Sequence, residues 1–239
     1  MPNKAGASTR QMAQKRRRIT YLILFGVLIL VVGLSLVYDN RKALGLGGGA
    51  ALFIIFFIRI LPDLIEKPIN RRIKKVRRAD RGAIAEEKIG DLLAGLGEDF
   101  LILHDVVCAY GNIDHVVISK NNGVFLLETK AHGGRVQILS DNLLVNGKPP
   151  EKDFIKQTLR NTYWLRDELE KVVGRKVWIT PVIVFTNAFV PFGKPIKGIH
   201  VINKKFLPEL LQKQARPGAE LSAVWDAKER IAQTLGGQS

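Results

Sequence analysis

Two long runs without charged residues mark the first quarter of the chain. Residues 19–37 are uncharged and, at about 1.5 Å of rise per helical residue, long enough to cross the hydrocarbon core of a bilayer. Residues 43–58 are apolar again; four glycines weaken the first turns of this run, but small residues are common where membrane helices pack closely. The pattern predicts a transmembrane hairpin over residues 19–61, with spans at about 19–38 and 43–60.

A cleaved signal peptide and a buried hairpin of a soluble protein are the alternatives to this hairpin. The apolar core of a signal peptide is typically about 7–15 residues long, shorter than the first run here. A second apolar run also follows at once, which a signal peptide does not explain. Two membrane spans are therefore the favoured interpretation.

The net charge of +15 is distributed unevenly along the chain. Residues 1–82 hold 17 Lys/Arg against 4 Asp/Glu, whereas residues 83–239 hold 20 against 18. The basic excess therefore belongs to the N-terminal part and is not a nucleic-acid-binding footprint of the remainder. Six Lys/Arg precede the first span, two lie between the spans and nine fall between Arg59 and Arg81. The positive-inside rule then puts both termini in the cytoplasm, in a multi-pass protein of a bacterial inner membrane.

The segments that flank the hairpin are both basic. Residues 1–18 form a basic cytosolic N-terminus, and residues 62–80 form a juxtamembrane connector. Ile65, Ile69, Ile73 and Val76 recur at helical spacing in the connector, with basic residues around them. This pattern predicts an amphipathic helix on anionic lipid. A topology signal without further role and a contact with nucleic acid are the alternatives.

From residue 82 the pattern is that of a globular domain. It predicts a helix at 82–96, a strand at 100–108, two further strands within 112–134, a helix at 151–173, strands at 176–186 and 198–202, and helices at 206–211 and 219–235. This order predicts an α/β or α+β domain, a mixed sheet flanked by helices. We assign residues 81–210 to this domain and residues 211–239 to a C-terminal helix and tail.

A predicted hairpin over residues 112–130 carries the candidate chemistry. Its Val- and Ile-rich strands flank an Asn-Asn-Gly turn, in which glycine tolerates a positive φ. Pairing Lys120 with Val124 would put Asp114 opposite Lys130. A shift of the pairing by two residues would change these partners but not the face on which each side chain lies.

Three charged residues share one face of that hairpin. Side chains alternate along a strand, so Asp114, Glu128 and Lys130 point to the same side, among apolar neighbours. Uncompensated charges are costly in such a place, which suggests a functional cluster. Glu86, at the edge of the apolar stripe of the helix at 82–96, can approach the same site. A surface salt bridge at a hairpin edge is the alternative interpretation.

These residue types suit a metal-assisted hydrolysis. Asp114 and Glu128 offer the hard oxygen ligands that Mg²⁺ or Mn²⁺ prefers, and such ions retain waters and substrate phosphate oxygens. Lys130 can orient a water molecule or stabilise the charge that develops at phosphorus. His104, His115 and the single cysteine, Cys108, are predicted to be structural. One cysteine also excludes an intramolecular disulfide framework and a cysteine-based zinc site.

The order of these residues resembles the PD-(D/E)xK nuclease core, and more closely the nuclease-related domain family, NERD. The resemblance covers about residues 80–210, and Gln157 with Asn161 matches the helix motif of the family. The other matching segments are Gly82-Ala83-Ile84-Ala85-Glu86, Leu103-His104-Asp105, Gly111-Asn112-Ile113-Asp114-His115, Gly123-Val124-Phe125, Glu128-Thr129-Lys130 and Gly134. Ala85 departs from the pattern, since the family often has glycine before the glutamate.

The resemblance implies a restriction-endonuclease-like fold and metal-dependent cleavage of nucleic acid. It implies that Asp114 and Glu128 are metal ligands, that Lys130 is the catalytic lysine, that Glu86 is an accessory ligand and that Gln157 lines the site. We therefore expect a membrane-anchored, Mg²⁺- or Mn²⁺-dependent endonuclease that acts on nucleic acid, DNA in the first place. The alternative is a catalytically inactive, membrane-tethered nucleic-acid-binding or scaffold protein, which the nearly neutral charge of the domain favours. A lipid-surface sensor is a third hypothesis, and the sequence does not indicate an oligomeric state.

Overall fold

The structure, a computed structural model, describes residues 4–40, 48–139, 141–191, 193–213 and 220–236. The chain forms two compact units. One contains residues 9–80, and the other contains the residues up to 8 together with those from 81 onward. The second unit is therefore built from two separate stretches of sequence.

Helix α1, Ala7–Asp39, contains the whole first apolar run. In the described part of the chain it is the one helix long and apolar enough to cross a membrane, judged by length and composition. Its large apolar side chains are mostly exposed, among them Leu22, Phe25 and Leu28. Ser35 donates a hydrogen bond to the Val31 carbonyl 2.9 Å away, so its hydroxyl is satisfied inside the helix.

Helix α2, Gly48–Ala94, joins segments that the sequence pattern separates. It includes the described part of the second predicted span, the basic connector and most of the predicted helix at 82–96; residues 43–47 lie outside the described residues. Proline normally interrupts a helix. Pro68 removes only one backbone donor, however, and the following residues are mainly strong helix formers. Arg17 of α1 pairs with Asp80 of α2 at 2.7 Å.

The beginning of α1 is bonded to the globular unit. The Ser8 backbone N–H donates to one carboxylate oxygen of Asp105 at 2.7 Å, and the Ser8 hydroxyl donates to the other at 2.6 Å. The Asn112 side-chain amide also donates to Asp105, at 3.1 Å. Because the first backbone N–H groups of a helix have no partner within the helix, Asp105 acts as a capping residue supplied by a distant strand.

A mixed sheet forms the centre of the globular unit, as the sequence predicts. Its strand order is β1-β2-β3-β5-β6, and β4 pairs with β3 outside this path. The pairs β1–β2, β2–β3 and β3–β4 are antiparallel, whereas β3–β5 and β5–β6 are parallel. The strands are β1 (Phe100–Cys108), β2 (Gly111–Ser119), β3 (Gly123–Leu139), β4 (Asn142–Val145), β5 (Ile179–Phe189) and β6 (His200–Asn203).

Strand β3 is longer than predicted. We expect it to end at the glycines near residue 133, but it continues to Leu139. Its parallel pairing with β5 shifts register between Lys130 and Gly133 and then resumes. Gly134 has a φ of 92°, a conformation that glycine adopts readily. The glycines therefore accommodate an irregularity within the strand rather than a turn after it.

The register of the β2–β3 hairpin differs from the predicted one by two residues. Ser119 pairs with Gly123 and Val116 with Leu126, so the pairing of Lys120 with Val124 was wrong. The Ser119 hydroxyl accepts hydrogen bonds from the backbone N–H groups of Asn121 and Asn122, at 3.3 and 3.1 Å, which favours a turn that begins after Ser119. The shift is an even number, so each side chain keeps its predicted face.

Both faces of the sheet are covered by helices. These are α3 (Phe154–Val173), α4 (Leu207–Gln212), α5 (Glu220–Asp226) and α6 (Lys228–Gly236), together with the end of α2; a short 3-10 turn, Lys204–Phe206, precedes α4. One face carries Val116, Ile118, Val124 and Leu126, which pack with Leu165, Leu169, Val224 and Ile231. The other carries Val117, Phe125 and Leu127, which pack with Ile89, Leu93, Leu207 and Leu211.

Two of the predicted helices differ from the observed ones, one in where it begins and the other in being divided. The expected helix at 151–173 begins at Phe154, because the Asp153 side chain accepts a hydrogen bond from the Lys156 backbone N–H and caps the helix. Gly174, with a φ of 75°, ends it. The single helix expected at 219–235 is divided into α5 and α6, which meet at Ala227.

Candidate active site

The three charged residues of the hairpin lie on the face that α3 covers, as the sequence predicts. Asp114 is on β2, and Glu128 and Lys130 are on β3. The last paired residue of β2 is His115, so Asp114 lies just beyond the end of the β2–β3 pairing. There an Asp114 carboxylate oxygen accepts a hydrogen bond from the Thr129 backbone N–H at 2.6 Å. The Asp114 carboxylate thus accepts a hydrogen bond from a backbone N–H group of β3, which fixes it next to Glu128.

Glu128 is the centre of the hydrogen-bond network. Its Oε1 accepts from Lys130 Nζ at 2.6 Å and from Gln157 Nε2 at 2.7 Å. The side chains of Glu128 and Lys130 are only 4% and 11% exposed, so this ion pair is largely removed from solvent. Gln157 comes from the first turn of α3, and the structure therefore brings the predicted helix residue to the predicted strand residues.

Two oxygens of this network are buried without a hydrogen-bond partner: Glu128 Oε2 and Gln157 Oε1. Buried polar atoms usually have a partner, and leaving one unpaired costs roughly 1–3 kcal/mol, more for a charged group. Gln157 donates to Glu128 through its nitrogen, so its own oxygen is left over. The two unpaired oxygens belong to side chains that are bonded to each other through Gln157 Nε2 and Glu128 Oε1.

Negative charge is concentrated around Asp114. Burial raises the pKa of the Asp114 carboxyl well above its usual range, and the charges of Glu128 and Glu86 raise it further. Lys130 and the hydrogen bond from the Thr129 backbone act in the opposite direction. Glu86 is itself buried, on α2. The predicted carboxylates therefore influence one another electrostatically, and an added cation would relieve their repulsion.

A three-carboxylate ion site is not assembled in the described residues. Among them no group of three or more His, Cys, Asp and Glu side chains is placed to hold a metal ion. Two carboxylates are sufficient for Mg²⁺, which keeps several waters and binds substrate oxygens. The Asp114 and Glu128 carboxylates, with the unpaired Oε2 of Glu128, fit such an ion, and Glu86 as an accessory ligand stays a prediction.

An aromatic ring completes the surroundings of the lysine. The Lys130 Nζ lies 4.4 Å from the centre of the Phe154 ring, on the first residue of α3. A cation over an aromatic face is attracted electrostatically, and more strongly where water is excluded. The Lys130 ammonium group is thus held between Glu128 and Phe154. Sequence reasoning missed this contact.

The two strand histidines contact each other rather than the carboxylates. The Nδ1 atoms of His104 and His115 are 2.8 Å apart, and the rings meet edge to face. Both are strand residues, as predicted, but His115 Nε2 is buried without a hydrogen-bond partner among the described residues. Cys108 is buried, as predicted, and its thiol lies 3.8 Å from the side-chain oxygen of Asn161.

A second contact beside the site was also missed. Tyr110 lies in the turn before β2, and the Arg160 guanidinium covers its ring at 4.6 Å. The two residues are far apart in sequence, so no local pattern indicates their contact. The available signal was indirect: Arg160 follows Gln157 by one helical turn, and Tyr110 shortly precedes Asp114.

An open mixed sheet flanked by helices, with two carboxylates and a lysine on one strand face, is the arrangement expected of the PD-(D/E)xK-like nuclease superfamily. Residues 81–186 match the family model described as the nuclease-related domain, and the chain carries a NERD domain over these residues. The predicted resemblance is therefore confirmed. Among curated proteins and among solved structures, no significant match was found.

Proposed function

We propose that this protein is a membrane-anchored, metal-dependent nuclease that hydrolyses phosphodiester bonds of nucleic acid, with DNA as the expected substrate. Glu128 carries the proposal. One of its carboxylate oxygens holds Lys130 and Gln157, while the other is buried without a partner. A divalent cation bound there would offset the cost of that unpaired oxygen. The match of residues 81–186 to the nuclease-related domain supports the same chemistry.

Asp114 and Glu128 are the residues that would hold Mg²⁺ or Mn²⁺. The Gln157 amide oxygen is also buried without a hydrogen-bond partner. When bound, the ion would lower the pKa of a coordinated water and stabilise negative charge on the phosphate. The raised pKa of Asp114 supports this assignment, because its causes include neighbouring negative charges that a cation would neutralise.

Lys130 would act on the phosphodiester itself, and Gln157 would act through Glu128. In hydrolysis a water oxygen attacks phosphorus, the bond from phosphorus to one ester oxygen breaks, and that oxygen takes a proton. Lys130, oriented by Glu128 and Phe154, would donate hydrogen bonds to the phosphate oxygens as their negative charge increases. Gln157 holds the Glu128 carboxylate in position, so we assign it a positioning role.

The full-length protein in detergent tests this function. We expect it to cut single- or double-stranded DNA, or RNA, in the presence of Mg²⁺ or Mn²⁺ and not in the presence of a chelator. Glu128→Gln should abolish cutting, because it removes the charge that the ion requires. Failure to cut any of these polymers, together with no Mn²⁺ binding in a direct titration, would contradict hydrolysis and favour an inactive scaffold.

We propose further that residues 19–38 and 43–60 cross the membrane and leave both termini in the cytoplasm. Contacts on the two sides of the first span support this topology. Ser8 precedes the first span in sequence and is hydrogen-bonded to Asp105, which comes after that span. Arg17, also before the span, forms an ion pair with Asp80, also after it. If residues 19–37 cross a bilayer, the chain must cross back before Asp80, and residues 43–60 are the remaining apolar run. The exposed basic residues of the connector would then lie near anionic lipid.

A phosphatase reporter that is active only in the periplasm tests the topology. Fused after Ser239, it should be inactive; inserted after Asn40, between the spans, it should be active. Activity of the C-terminal fusion would contradict the cytoplasmic assignment of the nuclease-related domain. Inactivity at both positions, with both fusions expressed at equal levels, would contradict the crossing itself.

A further inference from the structure

An aromatic ring and a guanidinium group form an exposed pair next to the candidate active site. The Arg160 guanidinium carbon lies 4.6 Å from the centre of the Tyr110 ring. Tyr110 is 53% exposed even with Arg160 against it, so much of the ring is accessible to a ligand. Such stacking holds the guanidinium in one plane and limits its rotation.

Both members of the pair are connected to the active site by short structural paths. Tyr110 precedes Asp114 by four residues, which is about 13 Å along an extended strand. Arg160 follows Gln157 by one turn of α3, and Gln157 is bonded to Glu128 at 2.7 Å. The pair therefore lies within the length of one or two nucleotides of the carboxylates.

The electrostatics of Cys108 support this placement. Burial raises the pKa of the Cys108 thiol, the Tyr110 backbone and the Arg160 charge lower it, and the Glu128 charge raises it further. The thiol is therefore within electrostatic reach of both Arg160 and Glu128. Lys156, exposed one turn before Arg160 on α3, adds a second positive charge to the same side of the helix.

The chemistry of the pair fits one nucleotide. The planar guanidinium of Arg160 can donate two parallel hydrogen bonds to a phosphate group. The accessible part of the Tyr110 ring offers a surface on which a nucleobase can stack, a contact worth about 1–3 kcal/mol per base in single-strand-binding proteins. A base inside a duplex already has both faces stacked on its neighbours. Tyr110 can therefore receive a base only from an unpaired or flipped nucleotide.

We propose that Tyr110 and Arg160 bind the nucleotide next to the scissile phosphate, and that this nucleotide is unpaired. The substrate class is then nucleic acid with a single-stranded segment at the cleavage position. This inference rests on the proposed nuclease function, because it takes the cleaved polymer to be the ligand. It goes further because it states that the site selects a single-stranded segment and that Tyr110 and Arg160 select it.

Binding without cleavage tests the subsite. Full-length protein in detergent, with chelator present, is titrated with a fluorescent single strand and with a blunt duplex of the same sequence while anisotropy is measured. The wild type should bind the single strand more tightly. Tyr110→Ala should weaken binding of the single strand by about five- to a hundredfold, and Tyr110→Phe, which keeps the ring, should leave it nearly unchanged.

Arg160 is tested through the salt dependence of binding. Arg160→Ala should reduce the slope of log affinity against log salt by about 0.7, the value expected for the loss of one phosphate contact on a single strand. Tyr163→Ala is the matched control. Its ring is covered by Arg166 at 5.2 Å on the same helix, farther from Gln157, and this variant should bind like the wild type.

Several results would overturn the subsite: no binding by the wild type, equal affinity for strand and duplex, or equal effects of Tyr110→Ala and Tyr163→Ala. Cleavage of the same oligonucleotides with Mn²⁺ separates this inference from the function on which it rests. A Tyr110 effect on binding without any cleavage supports the subsite and contradicts hydrolysis. Cleavage by the wild type without a Tyr110 effect supports hydrolysis and contradicts the subsite.

Discussion

Replacing Lys130 by alanine should lower the rate of metal-dependent nucleic-acid cleavage by about a hundredfold or more. Its ammonium group is held 2.6 Å from Glu128 and above the Phe154 ring, so it is oriented before the substrate arrives. Removing one oriented donor that stabilises a developing oxyanion costs about 10²–10³ in rate in other enzymes. Because this stabilisation acts in the transition state, we expect the loss in kcat rather than in KM.

The Lys130 result requires a test of folding, because alanine also leaves the buried Glu128 carboxylate without its counter-ion. Lys130→Gln keeps a donor for Glu128 and removes the charge; it should melt close to the wild type and still lose activity. Lys171→Ala is the matched surface control, since Lys171 pairs with Glu168 at 2.7 Å and is 69% exposed. Wild-type kcat in a folded Lys130→Gln variant would contradict a catalytic lysine.

The second large effect concerns stability in acid. Burial, together with the charge of the neighbouring His104 ring, lowers the pKa of His115 to about 3. An unfolded histidine has a pKa near 6.5. The neutral ring therefore stabilises the fold fully above about pH 6.5, and this contribution is lost as the pH falls toward 3. Between pH 6.5 and 4.5 the expected loss is about 2–3 kcal/mol, at about 1.4 kcal/mol per pH unit.

Melting temperatures of the full-length protein over this pH range measure the loss. His115→Asn cannot titrate, and its side-chain amide can still act as a partner for the His104 Nδ1. The melting temperature of this variant should decrease less between pH 6.5 and 4.5 than that of the wild type. Parallel curves for the two proteins would show that His115 does not control the acid sensitivity.

The parts of the fold that follow from local patterns were predictable. Strand β1 begins and ends where its apolar pattern does, at Phe100 and Cys108. The shared face of Asp114, Glu128 and Lys130 follows from the two-residue period of a strand, and it survives the error in register because that error is an even number. The two-residue period of side-chain alternation and the odd or even number of a position are local properties, so the sequence shows them directly.

The parts that depend on distant residues were not predictable in the same way. Gly133 and Gly134 resemble a turn signal, but pairing with β5 keeps them within β3. The contact of Tyr110 with Arg160 joins a turn before β2 to α3, and it depends on how α3 packs against the sheet.

The hydrogen bonds from Ser8 to Asp105 change where the nuclease-related domain begins. Sequence comparison gives a boundary at residue 81, yet Ser8 supplies two of the bonds to the buried Asp105 carboxylate. The domain is therefore discontinuous, with the helices of residues 9–80 inserted into it rather than attached in front of it. A fragment cut at residue 81 would keep the bond from Asn112 and lose both bonds from Ser8. The compact unit therefore combines Ser8 with the residues from 81 onward.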